Sequence, residues 1–511
     1  AEISHPPGTI VTCHRVTDTD AEGKPSKYCR SRIDRVYTPF NGKIQWSYEL
    51  DHSFWPSPSN AVTDHIAQRI TMGTIEDEDR GRDVKRISEE ICDHPPWQKQ
   101  IDSAIDTFGK GIKSGVGIAL AWEQTKRNIA KMGLECTKEL KAKRRADTQK
   151  LEAQVANTQQ KISNGTATPT DYQACKDLKN RIAELRKAHN NLAESIEHFA
   201  RSRQEKKVTG SREFYQPFKV SHTSQWIREM DTADYSDITA PTFNGTETRA
   251  SKIAAAITPY YKALFARGTR NHEDASTCLE TLKDDGVLGP TASMCAAKID
   301  MEEVEAVLHD LPTGKAAGPD AIPNKIYKTH RKRLAPILLK VFNDALSKGQ
   351  LPSSMLEGIV TLLYKKGSRK RPTQYRPITL LNNDYKILTR ILTKRMNVAV
   401  VQFVSDCQNG FVPGGFIAEN TMLLKLLQAI AEAEDSESFF LLADMEKAFD
   451  IGSWDYLHEA LKNLGLDEFD KWVQLAYNHD NPPRRRLYVN GYLGPELELH
   501  AGVAQGCPLS P

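Results

Sequence analysis

The chain has little of several things that would have narrowed its role at once. No apolar run approaches the ~18 residues that a membrane-crossing helix needs, and no charged-then-apolar leader opens the sequence. A membrane partner is therefore not expected. There are 9 cysteines and no C-x-x-C pair. An odd count in so long a chain argues against a disulfide framework and against a zinc knuckle, and for a reducing, intracellular setting. The formal net charge is only +3, so any case for nucleic-acid binding must rest on local clusters. Proline and glycine are nearly absent from about 116 to 206, outside the cluster Ser163–Thr170. The first residue is Ala1, not Met, as expected of a piece of a longer protein.

What is present is ordinary globular material, 39% hydrophobic and 26% charged over 511 residues, enough for two to four cores. Texture divides it. Residues 1–75 hold short β-prone pieces such as Ile33–Tyr37 among Pro, Ser and Asp, 76–115 read as a linker, and 207–300 as a looser connector with short helices. From Met301 to Pro511 the pattern tightens. Val304, Val307, Leu308 and Leu311 mark one helix face, ended by Pro312 and Gly314, and Leu334, Ile337, Leu338, Val341, Phe342 and Leu346 mark another. Ile359–Tyr364 and Phe439–Leu442 are strand-type runs. Leu487–Val489 and Leu497–Leu499 flank Asn490-Gly491, which predicts a β-hairpin with a somewhat long loop. Strands and helices in mixed order argue for an α+β multidomain fold.

Within 116–206, Leu151, Val155, Thr158 and Ile162 form one apolar seam. Leu178, Ile182, Leu185, Leu192, Ile196 and Phe199 form a second, with His189 filling one seam position. A short loop between two such seams predicts an antiparallel helical hairpin, with Thr168-Pro169 as cap and first turn of its second helix. Its many cations, Lys141–Arg145 and Arg201–Lys207 among them, fit either a solvated spacer or an electrostatic surface for nucleic acid.

The chemistry concentrates near the end. Asp444 closes the apolar run Phe439–Ala443 and opens Asp444-Met445-Glu446-Lys447-Ala448-Phe449-Asp450, while Gly502-Val503-Ala504-Gln505-Gly506-Cys507-Pro508-Leu509-Ser510-Pro511 ends the chain. Lys365–Arg371 is a basic loop between apolar segments, followed by Tyr375-Arg376-Pro377-Ile378-Thr379-Leu380-Leu381-Asn382. Arginine suits bidentate phosphate contact and lysine acts as a point charge. With Gly318–Pro323, Asp384–Arg395 and Gln408–Asn420, these blocks in this order resemble the reverse transcriptases of non-LTR (LINE-type) retrotransposons.

The resemblance implies fingers and part of a palm over 301–511, acting on an RNA template, a DNA target or primer, and dNTPs. It implies Asp444 as a ligand of Mg2+, with Phe449 under the nucleotide sugar. Lys365, Arg376, Gln505 and Gly506 take the nucleotide-binding positions, and the parent element would work in the nucleus. Two departures stand out: Gly415 and Ala504 occupy positions where that family commonly has arginine. Two metals about 4 Å apart need several carboxylates. The family's aromatic-x-Asp-Asp segment does not occur after Asp444 in these residues, so the expectation for this chain is an inactive polymerase fragment.

Upstream, Ser31-Arg32-Ile33-Asp34-Arg35-Val36-Tyr37 precedes Ser59–His65, which contains Thr63-Asp64-His65. An aspartate beside a histidine can orient imidazole toward a phosphate or a water. In this order the two blocks resemble the C-terminal end of apurinic-endonuclease-like (endonuclease/exonuclease/phosphatase) domains, an α/β nuclease tail with Asp34, Asp64 and His65 as catalytic candidates. Two alternatives remain on the sequence alone. One is a non-catalytic nucleic-acid-binding or coiled-coil interaction protein derived from such an element. The other is a group II intron-type maturase, against which the nuclease-like block argues.

Overall fold

In the computed structural model the described residues are four strands before residue 74, then 81–511 apart from 82–83, 165, 188–225, 239, 269–271, 281, 283–287, 406 and 438. Asp34, Asp64 and His65 lie outside them, as do the expected seam positions Leu192, Ile196 and Phe199. Contacts divide the chain into one unit of 1–79 with 139–223, and a second of 80–138 with 224–511. The architecture is mixed α/β.

In the first unit β1 (Cys13–Thr19) pairs antiparallel with β2 (Pro25–Ser31), and β3 (Gln45–Leu50) with β4 (Gln68–Gly73). Helix α1 (Pro95–Lys113) belongs to the second unit, whereas α2 (Ile118–Ser163) serves both and α3 (Pro169–Lys187) lies in the first. As far as Lys187, α2 and α3 pack on each other along part of the expected seams. Val155, Cys175 and Ile182 share a small core with Leu151 and Leu178, as the spacing of four and three residues requires. Thr168 caps α3: its Oγ1 accepts from the Asp171 amide at 3.3 Å, and its own amide donates to Asp171 Oδ2 at 2.9 Å.

The second unit is built on a four-stranded sheet in the order β10-β9-β7-β8. A peripheral hairpin, β5 (Met230–Asp234) with β6 (Thr242–Glu247), is followed by helix α4 (Ala250–Leu264), which packs on β5, β9 and β10. Helices α5 (Met301–Asp310) and α6 (Arg331–Lys348) then precede β7 (Glu357–Tyr364) and β8 (Tyr375–Leu381). Helices α7 (Asn383–Phe403), α8 (Ile417–Ala433) and α9 (Trp454–Asn463) lead to β9 (Arg484–Val489) and β10 (Tyr492–Glu498). The faces expected for α5 and α6 are the buried ones: Val304, Val307 and Leu308 in α5, and Leu334, Leu338, Val341 and Phe342 in α6. Asp300 caps α5 in a reciprocal capping box with Glu303.

The structure differs from the sequence reading in four places. The stretch 76–115, expected as a linker, holds α1, whose Trp97, Ile101, Ala104, Ile105 and Phe108 are buried. The stretch 207–300, expected as a connector, holds α4 with Tyr260 and Tyr261 fully buried. Both pack with later residues, so the division by contacts falls at 80 and 224, not at 301. The β9–β10 loop is tight, not long: Val489 pairs directly with Tyr492, and Asn490 and Gly491 take φ of 53° and 86°, the left-handed pair that a two-residue hairpin turn demands. Most consequential is Phe439–Leu442, expected as a strand. It has no regular structure, and Phe439, Leu441 and Leu442 are 89%, 84% and 88% exposed. An apolar run becomes a strand only beside a partner for its N–H and C=O groups, and no described strand pairs with this one.

Candidate nucleic-acid and nucleotide site

The β7–β8 hairpin sets the geometry. Along β8, Tyr375, Pro377, Thr379 and Leu381 are buried, while Arg376, between two of them, is exposed. The period-2 alternation of a strand thus turns the guanidinium outward. At the tip the Lys365 amide donates to the Gln374 carbonyl at 2.9 Å and Gly367 adopts φ 85°. Tyr364 and Tyr375 clamp the loop through their hydroxyls, which donate to the carbonyls of Gly367 (2.7 Å) and Arg369 (2.6 Å). The Arg369 guanidinium lies 4.4 Å from the Tyr364 ring centre and that of Arg371 lies 5.1 Å from the Phe243 ring, both within cation–π range. Lys370 pairs with Glu229 at 3.1 Å. Lys365, Lys366 and Arg376 remain as exposed cations without an ion-pair partner among the described residues.

Against the inner part of this hairpin lies the Gln-Gly turn. The Thr379 amide donates to the Gln505 carbonyl at 2.8 Å. Gly506 has φ 122°, and a Cβ there would come within 2.6 Å of the Thr379 carbonyl oxygen. Only glycine satisfies both demands. On its other side the turn meets the 449–454 segment. Gln505 Nε2 donates to Asp450 Oδ1 at 3.1 Å, the Val503 amide donates to the Phe449 carbonyl at 2.6 Å, and Trp454 Nε1 donates to the Gly502 carbonyl at 2.7 Å. Asp450 thereby anchors the loop, a part the sequence reading had left open. Burial pushes its carboxyl up to about 6, against the pull of the Gln505 hydrogen bond and of Lys447. The half-buried Phe449 ring faces Phe411 edge-on at 6.4 Å.

The structure therefore brings Phe449, Gln505 and Gly506 together, joins them to β8 at Thr379 and not at Arg376, and leaves Asp444 out of that bonding. Asp444 is exposed and has no hydrogen-bond or ion-pair partner among the described residues. Among those residues no group of three or more His, Cys, Asp or Glu could hold a metal ion. One exposed carboxylate does not fit a two-metal centre, which needs convergent donors, so no step is derived through Mg2+.

Sequence reasoning gave no role to the carboxylates of Asp320 and Asp384. Lys126 Nζ, on α2, sits 2.7 Å from Asp384 Oδ2 and 3.5 Å from Asp320 Oδ2, with Lys126 and Asp384 side chains 3% and 0% exposed. Trp122 Nε1 donates to the same Asp384 oxygen at 3.0 Å. Burial alone would drag the Lys126 ammonium down, yet Asp384 and Asp320 hold it above its usual value. Burial lifts the Asp320 carboxyl to about 6. The available signal was two aspartates inside apolar blocks, which a fold must bury with a cation. Arg395 is likewise structural. It pairs twice with Glu303 (2.6 and 2.7 Å) and donates to the carbonyls of Cys295, Ala297 and Lys298.

Comparison with known proteins bears on this arrangement. The reverse transcriptase (RNA-dependent DNA polymerase) family matches residues 364–511, the span from the end of β7 to the Gln-Gly turn. The chain is also 25% identical over 393 residues to the transposon TX1 uncharacterized 149 kDa protein of Xenopus laevis, covering 76% of this chain and 28% of that protein. It is 26% identical over 270 residues to the retrovirus-related Pol polyprotein of the type-2 element R2DM of Drosophila melanogaster, covering 52% and 24%. It is 29% identical over 221 residues to a probable RNA-directed DNA polymerase from transposon BS of the same fly, covering 42% and 24%. The chain is related to the non-LTR reverse transcriptases. The relationship to the Xenopus protein reaches well upstream of 364, since most of its 393 matched residues cannot lie within 364–511. The matched part spans about a quarter of the length of these curated relatives. No helix among the described residues is long and apolar enough to cross a membrane.

Proposed function

We propose that the chain is part of an RNA-directed DNA polymerase of a non-LTR element and that its β7–β8 hairpin and Gln505–Gly506 turn form the fingers face that meets template and incoming nucleotide. The observation that carries this is the Thr379–Gln505 hydrogen bond at 2.8 Å, which seats the arginine-bearing strand beside a backbone that a Cβ would block. In this reading Lys365 and Arg376 contact phosphates, Phe449 lies under the sugar, and Asp444 supplies one carboxylate of a Mg2+ pair. One carboxylate cannot position two ions. For the polypeptide of residues 1–511 the proposal is therefore binding of an RNA template annealed to a DNA primer, without extension. We also keep as a proposal that 1–75 is the end of an endonuclease-like domain, supported by the order of Ser31–Tyr37 and Ser59–His65.

The test is a primer–template titration at several salt concentrations. Arg376→Ala and Lys365→Ala should each weaken binding by ~1–2 kcal/mol and reduce the slope of log affinity against log salt by about 1. A flat salt dependence in the parent chain sinks the phosphate-contact reading. Mg2+-dependent primer extension by the same polypeptide would overturn the assignment of binding alone.

A further inference from the structure

Contacts from one stretch of α2, Trp122 to Lys126, bear on the start of β7 and the end of β8. Glu123 Oε1 accepts from the Ser354 amide at 2.8 Å and the Ser353 hydroxyl at 2.9 Å, immediately before β7. Lys126 and Trp122 both bind Asp384 Oδ2, immediately after β8. Between these grips, Asn382 accepts from the Asp320 amide at 3.0 Å and donates to the Ser354 carbonyl at 2.7 Å. The base of the hairpin is thus closed from both sides by a helix some 240 residues earlier in the chain, and its cationic tip lies at the far end of the strands. Among the described residues Lys126 is the cation that the Asp384 carboxylate touches.

We propose that Lys126 is a positioning residue, which fixes the base of the hairpin so that β8 presents Arg376 outward and Thr379 to the Gln505–Gly506 turn. Lys126 is itself 3% exposed and touches no nucleic acid. Its effect passes through Asp384 to the end of β8. The functional half of this inference rests on the nucleic-acid reading above. A corollary is that residues 364–511, the span of the family match, are not a self-sufficient site, because β8 pairs with β7, nearly all of which precedes 364, and Asp384 after β8 is held by Trp122 and Lys126.

The experiment uses the full 511-residue chain with Lys126→Met and Trp122→Phe, read by primer–template affinity against salt and by amide hydrogen exchange. Lys126→Met should lower affinity about tenfold with the salt slope unchanged, because a buried ammonium releases no counterions. Exchange in 375–382 should accelerate more than in 484–498. Trp122→Phe keeps an aromatic ring, smaller than the indole, and drops the donor, so about a threefold loss with the same exchange pattern is expected. Unchanged exchange in 375–382 overturns the proposal, as does acceleration that is equal in the two peptides, which means a general loss of stability. A smaller salt slope in Lys126→Met also overturns it. Should Lys126→Met fail to fold, Trp122→Phe decides by the same two readouts. If Arg376→Ala leaves affinity untouched, the nucleic-acid reading fails on its own, and the exchange comparison still decides whether Lys126 holds the strand.

Discussion

Asp384 and Asp444 each follow a short apolar run, Ile378–Leu381 and Phe439–Leu442, and the two end in opposite surroundings. The first run is the inner part of β8, paired to β7 residue by residue, and its aspartate is 0% exposed between an ammonium and an indole N–H. The second pairs with no described strand, its leucines face solvent, and its aspartate has no hydrogen-bond or ion-pair partner among the described residues. Hydrophobicity is similar in the two. What differs is the supply of hydrogen-bond partners: a neighbouring strand for the backbone, and a cation and donors for the carboxylate. Buried polar groups are kept only when paired, so in this fold the paired aspartate is an architectural residue and the unpaired one is left available.

The sharpest way to break that contrast is to unpair the buried side. Arg395, about three turns farther along α7 than Asp384, is a second buried and fully paired charge, with two bonds to Glu303 and further bonds to three carbonyls, at 7% exposure. Arg395→Met should cost ~3–5 kcal/mol, because it strands Glu303 and the carbonyls without a cation. The denaturant midpoint of the variant measures this. A loss under ~1 kcal/mol would mean that water already satisfies these groups, and the region is not the closed network described.

How far the sequence could be read follows the same line. The faces of α5 and α6, the β7 strand, the α2 and α3 seams as far as Lys187 and the Asn490-Gly491 turn all follow from spacing, because each is decided by neighbours close in the chain. The outward face of Arg376 on β8 was not read from the sequence, which marked the residue only through its motif. Lys126 was not legible, since its partners Asp320 and Asp384 lie far along the chain and no local pattern joins them. Nor was the fate of Phe439–Leu442, because strand formation depends on an edge that the run itself does not encode. The packing of α1 and α4 with the 301–511 region was missed too. Pro95 and Pro96 at the start of α1 and Pro259 inside α4 resemble connector sequence, although Pro at the first turn of α1 is a helix start.

Asp450 offers a test of intermediate size, since it is buried like Asp384 but holds an amide in place of an ammonium. Its carboxyl rises from an ordinary 3.8 to about 6, so the folded state binds the proton more tightly than the unfolded one. The stabilising contribution is complete below 3.8 and is lost as pH rises through about 6. Asp450→Asn keeps an acceptor for Gln505 and never ionises. It should be more stable than the parent by ~1–3 kcal/mol at pH 8 and indistinguishable from it near pH 3.5. Urea melts at the two pH values measure the difference. If the gain appears at both, the carboxylate was not the cause.

The smallest expected effect lies on the other side of the comparison. Leu441 and Leu442 are 84% and 88% exposed, so replacing both with serine removes no buried area and no partner. The change should stay within ~0.5 kcal/mol in the same melts, as surface substitutions do. A conventional buried pair of leucines would lose several times that on truncation, so the two outcomes are well separated. Should the double variant lose 2 kcal/mol or more, the run is covered in solution, and Asp444 would then sit at the end of a packed segment like Asp384. The distinction between an architectural and an available aspartate would fall with it.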